Sequence, residues 1–356
     1  MSADRRTHNR AALWLTAFGL LAVALMAARL LAPHAVAVAE TVNTSDLTVG
    51  QWWTMLDLRC VSIVCAVVIG ASLACSGTYL QTLLRNPLAS PYILGVASGA
   101  GLGAAIARLI TRNELGGTAG ALWYVDGTGA AIGAVLVLLL VYGLSQRRGL
   151  VDPVELLLIG VMVSVMCGAV ILLIQHLLSA SDTDSLIRWM MGNIDQFTRW
   201  SAIIAAAVPV AIGIAYGLRS SRALDAAALS DHEALSVGVP IHTIRLILFG
   251  LSGLMTASAV VLAGPIGFVG LVAPHVARLL VGPRHIVLIP ASVLIGACLL
   301  LAADLGGSVV SPLVVPAFGA VPSGIITSLV GAPIFIWLIR RRSGSSRPFG
   351  MNGGGA

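Results

Sequence analysis

The chain contains no lysine; all 21 residues in its Lys+Arg total are arginine. That absence excludes a P-loop, whose lysine must reach the nucleotide phosphates. It also excludes a lysine Schiff base. Charge of either sign is scarce, at 10% of 356 residues, where a soluble domain carries about 25%. Cysteine is sparse too. Cys60, Cys65, Cys75, Cys167 and Cys298 lie in or beside apolar stretches, with no CxxC and no Cys/His ligand spacing, which reads as packing rather than metal binding. What is abundant is apolar: 58% of residues, with a mean hydropathy of +0.95. Such a chain cannot cover itself with polar surface, so the soluble class is excluded. Disorder and collagen fail as well, because apolar residues are plentiful and the 39 glycines have no three-residue period.

A membrane-spanning helix needs about 20 apolar residues. About ten stretches qualify, near 11–32, 60–82, 92–110, 119–144, 154–178, 199–218, 241–263, 267–281, 286–305 and 322–340. Short alternating segments of the barrel type are absent. The expected fold is an all-α polytopic membrane protein of about ten transmembrane helices, a single transmembrane domain over 1–342 with a disordered Gly/Ser-rich tail over 343–356. With the N-terminus in the cytoplasm, 15 arginines fall on the cytoplasmic side. Six (Arg29, Arg59, Arg108, Arg112, Arg188, Arg199) fall outside. The positive-inside rule supports that orientation and an even helix count, with both termini inside. The net charge of +6 and pI near 9.5 follow from the same arginines and need no nucleic-acid partner.

Arg5, Arg6 and Arg10 precede the first apolar run, and Ala35-Val36-Ala37 resembles a signal-peptidase site. The run is longer than a usual signal core, so a retained helix is expected. Residues 33–58 read as an outer loop with Trp52 and Trp53 at the interface, and 179–198 as a second outer segment holding a short surface helix. Residues 219–240 form the longest cytoplasmic insert, whose Ala, Leu, Asp and Glu content predicts one or two short helices. Pro87 and Pro91, and Pro265, Pro274 and Pro283, interrupt the apolar pattern after the second and seventh helices. Interruption at matching places predicts an inverted repeat of helices 2–5 and 7–10 and points to the transport path.

Enzyme signatures fail on inspection. His232-Glu233 begins like a zinc-protease motif, but Ser236 stands where the second histidine is needed. Ser76-Gly77 and Ser98-Gly99 lack a defined base and read as helix contacts. Glu155, Arg278 and Asp304 fall at expected helix ends, where snorkelling or capping suffices, with Gln175 and His176 near another. Few carboxylates remain for ion coupling. The insert is then the feature to explain: a helical knob on the cytoplasmic side, suited to a soluble partner that supplies energy.

Four segments carry a resemblance: "GASLACSGTYLQTLLRNPLASPYILGVASGAGLGA" (70–104), "ALSDHEALSVGVP" (228–240), "GPIGFVGLVAPHVARLLVG" (264–282) and "GIITSLVGAPIFIWLIRRR" (324–342). In order and spacing they resemble the permease subunits of bacterial type II ABC importers for iron chelates, haem and vitamin B12. The resemblance covers about residues 50–342. It implies ten helices per subunit, a second permease subunit (the same or different), two copies of an ATP-binding subunit, an extracytoplasmic substrate-binding protein, and a place in the bacterial inner membrane. No cofactor is implied in this chain; ATP and Mg belong to the partner ATPase.

Residue by residue, Asp231, Ala234 and Gly238 match the family's coupling pattern. Ser230 replaces its first glycine, Val237 its leucine, and His232 and Glu233 fill the variable places. Asn86, Pro87 and Leu88 match the segment that contributes to a cytoplasmic gate, with Ser90 in place of a common aspartate. Arg59 matches the first arginine of a pair that docks the binding protein. Ser62 replaces the second arginine, Ser308 a further one, and Ala320 a docking glutamate, beside an outer loop lengthened by 311–319. These departures imply an altered dock or a heterodimer. The resemblance implies import of a ferric siderophore, with haem or cobalamin import by the same machine as an alternative; an ion-coupled secondary transporter is the alternative of another class.

Overall fold

This computed structural model describes residues 2–31, 49–111, 119–147, 150–151, 153–229, 231–314 and 321–343. The chain runs as α1 (Ser2–Leu31), α2 (Val49–Leu83), a 3-10 turn (Pro91–Leu94), α3 (Val96–Thr111) and α4 (Ala119–Leu144). A two-residue hairpin, Gln146–Arg147 against Leu150–Val151, leads to α5 (Pro153–Leu177). Then follow α6 (Ala180–Met190), α7 (Trp200–Arg219), α8 (Ser221–Ala227), α9 (Asp231–Ser236) and α10 (Ile241–Ala263). The last three are α11 (Val269–Val281), α12 (His285–Val314) and α13 (Ser323–Ser343). Among the described residues, seven helices are long and apolar enough to cross a membrane, and Val96–Thr111, Val269–Val281 and Ser323–Trp337 are shorter apolar helices. This is the all-helical, polytopic architecture expected from the apolar runs. The Ala35-Val36-Ala37 site, Ala320 and residues 344–356 lie outside the described residues.

The helix α2 is the axis of the bundle. From Val61 onward it is almost wholly buried, and α7, α10, α11 and α12 pack around it. In lipid the apolar effect does not press helices together, so small residues and interhelical hydrogen bonds must. A Cβ on Gly70 would lie 2.4 Å from the Gly296 carbonyl oxygen of α12, and one on Gly77 would lie 1.7 Å from that of Gly270 in α11. On the α10 side, Ser72 Oγ donates to Met255 O at 2.6 Å and Ser76 Oγ to Ser252 O at 2.8 Å. Each such bond contributes roughly 0.6 kcal/mol in a membrane helix bundle. Facing Gly-x-x-x-Gly pairs join α3 to α4, Gly99 and Gly103 meeting Gly133 and Gly129.

The repeat shows in the order of elements. A long helix, a broken linker, a short apolar helix, another long helix and a final helix occur twice, as α2–α5 and as α10–α13. At 1.5 Å per residue, α3 and α11 are roughly 24 and 20 Å long, less than the roughly 30 Å of a hydrocarbon core. The run expected as one helix over 92–110 is split because Gly95 takes φ 73°, a conformation that ends the 3-10 turn and that glycine adopts without strain. Before α11, Gly264 and Phe268 have φ 70° and 67°.

Three expectations are corrected. Residues 49–58 are not loop: α2 starts at Val49 and carries the exposed Trp52 and Trp53 on a helical extension. The last loop is shorter than expected, since α12 continues to Val314. Ser308 therefore sits within that helix, its hydroxyl donating to Leu305 O at 2.7 Å. Asp304 is not at a helix end either. It lies inside α12 and accepts from Arg29 Nε of α1 at 2.6 Å, with 12% and 8% of the side chains exposed. Arg108, counted among the outer-side arginines, is buried too, without bearing on that side assignment. It pairs with Asp126 of α4 through Nε at 2.5 Å and donates Nη1–H to Asp182 O of α6 at 2.9 Å.

Candidate coupling and gate site

The insert forms two helical turns between α7 and α10. Leu224 and Ala227 of α8 are buried and anchor it to the bundle, and Ala234 of α9, fully buried, does the same. Gly238 closes α9: its N–H bonds Leu235 O at 2.9 Å, the Val239 N–H bonds Ala234 O at 3.0 Å, and its φ is 75°. That pair of bonds is the Schellman arrangement, and the positive φ explains a glycine there. Glu233 is exposed, and so are the apolar Leu229, Leu235 and Val237, at 56%, 56% and 69%. Asp231 and His232 begin α9, but their side chains, and Ser230 altogether, lie outside what is described.

The segment expected to form the gate follows α2. Arg85 has φ 47° and turns the chain sharply. The Asn86 side chain then accepts from the Leu88 N–H at 2.9 Å across Pro87, and the Asn86 carbonyl accepts from Ala89 N–H at 3.0 Å. This Asx-type turn fixes the backbone locally. Asn86 and Pro87 are half-buried, and Leu88 is 44% exposed.

The structure joins these two regions through residues the sequence reading did not single out. Arg85 Nε donates to Ala227 O of α8 at 3.1 Å. Asp225 Oδ1 accepts from the backbone N–H of His285 at 2.8 Å and from its Nδ1 at 2.6 Å. His285 Nε2 lies 2.7 Å from Thr82 Oγ1 of α2. Burial pushes the Asp225 carboxyl up, but the hydrogen bonds from His285 and the charges of His285 and Arg284 outweigh it, leaving the group below the usual carboxylate range. Beside Asp225, a cavity of about 590 Å³ is lined by Arg219, Arg222 and Arg284. This cluster brings three of the arginines expected on the cytoplasmic side to one end of the bundle.

Elsewhere, Arg59 is half-buried at the α1–α2 junction and donates Nη1–H to the Leu30 carbonyl. Ser62, one turn on, is 1% exposed. In this chain the second position of the docking pair therefore faces the protein interior, where an arginine would need a buried partner.

Comparison with known proteins shows the family to which the chain belongs. The model of the FecCD transport family matches residues 15–341. The chain belongs to the FecCD transport family. The hemin transport system permease HmuU of Yersinia pestis is 36% identical over 302 residues, covering 84% of this chain and 86% of that one. The cobalamin import permease BtuC of Halobacterium salinarum is 36% identical over 286 residues, covering 80% and 73%. A solved inward-facing conformation of a metal-chelate type ABC transporter superposes with a TM-score of 0.76 at 28% identity, over 93% of this chain and 99% of that one. This FecCD chain is accordingly a multi-pass membrane permease of a type II ABC importer, a transport subunit and not an enzyme.

Proposed function

We propose that this FecCD permease carries a ferric siderophore across the bacterial cytoplasmic membrane, with both termini cytoplasmic. It pairs with a second permease subunit around the path. Two copies of a separate ATP-binding subunit hold nucleotide and Mg²⁺ and supply the lysine this chain lacks. An extracytoplasmic binding protein delivers cargo at the outer face, where Arg59 and the α1–α2 junction contribute to the dock. ATP binding must favour one of two conformations to alternate access.

One observation carries the coupling part. Leu229, Leu235 and Val237 are exposed beside Glu233 on an insert at the arginine-rich end of the bundle. An apolar patch rimmed by charge, away from the spanning segments, marks a protein-binding surface. Ser230, Asp231, His232, Glu233, Ala234 and Gly238 are the coupling segment, with Ala234 and Gly238 shaping it and the exposed side chains meeting the ATPase. Asn86, Pro87 and Leu88 are the cytoplasmic gate.

Among the described residues, no group of three His, Cys, Asp or Glu side chains converges. The metal-chelate type transporter on which the chain superposes supports a cargo whose metal is held by a chelator. The hemin and cobalamin permeases among the relatives favour a second reading, haem or cobalamin as cargo. Uptake by the complete complex in liposomes, offered ferric siderophores, hemin and cobalamin separately, decides between them. Siderophore uptake alone is expected. Uptake of hemin or cobalamin alone would overturn the cargo and keep the importer, whereas no ATP-dependent uptake of any would overturn both.

A further inference from the structure

The His285 side chain is 1% exposed, yet both of its ring nitrogens are engaged. A carboxylate can only accept, so Nδ1 carries a proton and donates it to Asp225 Oδ1. The same oxygen accepts the His285 backbone N–H, so one carboxylate oxygen ties α8 to the first residue of α12. That is also where a helix dipole favours negative charge. On the far side of the ring, Nε2 lies 2.7 Å from Thr82 Oγ1, whose one hydroxyl proton is shared between Nε2 and Thr78 O, 2.8 Å away. Thr82 lies four residues before Asn86 on α2, and the Arg85–Ala227 bond runs alongside. The imidazole is a rigid plane. The end of α2 cannot separate from α8 without breaking a buried hydrogen bond and leaving a polar atom unsatisfied, which is costly.

We propose that His285 is a positioning residue of the transport cycle, a buried strut that makes the coupling insert and the gate segment move as one body. This rests on the coupling function proposed above and extends it, because it names how motion of the insert reaches Asn86-Pro87-Leu88. The contact with the ATPase and the gate itself are separate surfaces, and without a rigid link a displaced α8 would slide over α2 instead of pulling it. Asp225 orients the ring, and Thr82 receives the displacement.

The test uses the complete complex, with permease, ATPase and binding protein, in liposomes. His285→Ala and Thr82→Val are expected to keep the ATPase bound while cargo moved per ATP hydrolysed falls about tenfold, the scale of one buried hydrogen-bonding group left unsatisfied. Thr82→Ser, which keeps the hydroxyl, is expected to restore the ratio. A merely structural role would not separate Ser from Val in this ratio at equal protein yield. An unchanged ratio in Thr82→Val would overturn the strut even if His285→Ala fails to fold. If the wild-type complex moves no cargo, the function reading fails, and the strut is decided by distance. Spin labels at Arg222→Cys and Leu88→Cys are expected to hold one separation with and without ATP, and to spread in Thr82→Val. A separation that changes with ATP in the otherwise unaltered chain would overturn the proposal.

Discussion

Two ends of this bundle bury carboxylates in different ways. At the end proposed to face outward, Asp126 meets Arg108 and Asp304 meets Arg29, every side chain 12% exposed or less. At the end proposed to face the cytoplasm, Asp225 meets His285, but its side chain is 37% exposed while the imidazole is sealed. The outer pairs join spanning helices to each other, α3 to α4 and α1 to α12. The inner pair joins a short surface helix to the end of a spanning one. A fully enclosed ion pair resists separation, because parting the charges strands both without water. A half-open carboxylate lets water in when it moves. On the coupling proposed above, the outer end holds its helices in register and the inner end transmits displacement from outside the bilayer.

Removing one partner of an outer pair should have the largest effect. Arg108→Ala strands Asp126 and is expected to cost about 3–5 kcal/mol, read as a lower melting temperature in detergent. Replacing both, Arg108→Met with Asp126→Leu, should recover most of the loss. Equal loss in the double variant would mean that the pair fixes register beyond its charge. Next is the α3–α4 crossing that this pair supports. A Cβ at Gly103 would lie 2.0 Å from Gly129 O, so Gly103→Val should cost about 1–3 kcal/mol by overpacking, on the same melt.

The inner end should respond in association instead of stability. Asp231→Arg with Glu233→Arg reverses the charge of the insert and should weaken ATPase binding about tenfold, the scale of a close interfacial charge pair, in pull-down titrations. Unchanged binding and transport would remove these residues from the coupling surface. The smallest effect is on pH. The lowered Asp225 carboxyl favours the attached insert above the ordinary range near pH 4, and that contribution is lost as pH falls below it. Between pH 7 and pH 5, proteolysis of the insert should be unchanged, whereas acceleration in that interval would contradict the assignment.

The difference between the two ends also shows what sequence can reveal. The spanning helices were legible because each is an apolar run in a chain with little charge, and the insert because helix formers interrupt that pattern. The breaks before α3 and α11 were legible from proline and glycine. The ion pairs were not, since Asp304 meets an arginine 275 residues away. Asp126 lies within an apolar stretch whose partner is fixed only when Gly99 and Gly103 cross Gly133 and Gly129. At the inner end, Asp231 to Gly238 could be named from their pattern. The link to the gate could not, because Thr82, Asp225 and His285 share no local motif, and His285 and Thr82 are 203 residues apart. Arg59 matched a docking pattern in one dimension, and only the structure shows its guanidinium at the end of α1.

The claim underlying all of this is that ATP hydrolysed in another subunit drives cargo through this lysine-free chain. The direct measurement is cargo uptake by the reconstituted complex, with the partner ATPase either intact or carrying a substitution of its Walker lysine. Uptake abolished by that substitution, with the complex still assembled, is the predicted result. Uptake that persists and instead follows an imposed ion gradient would contradict it.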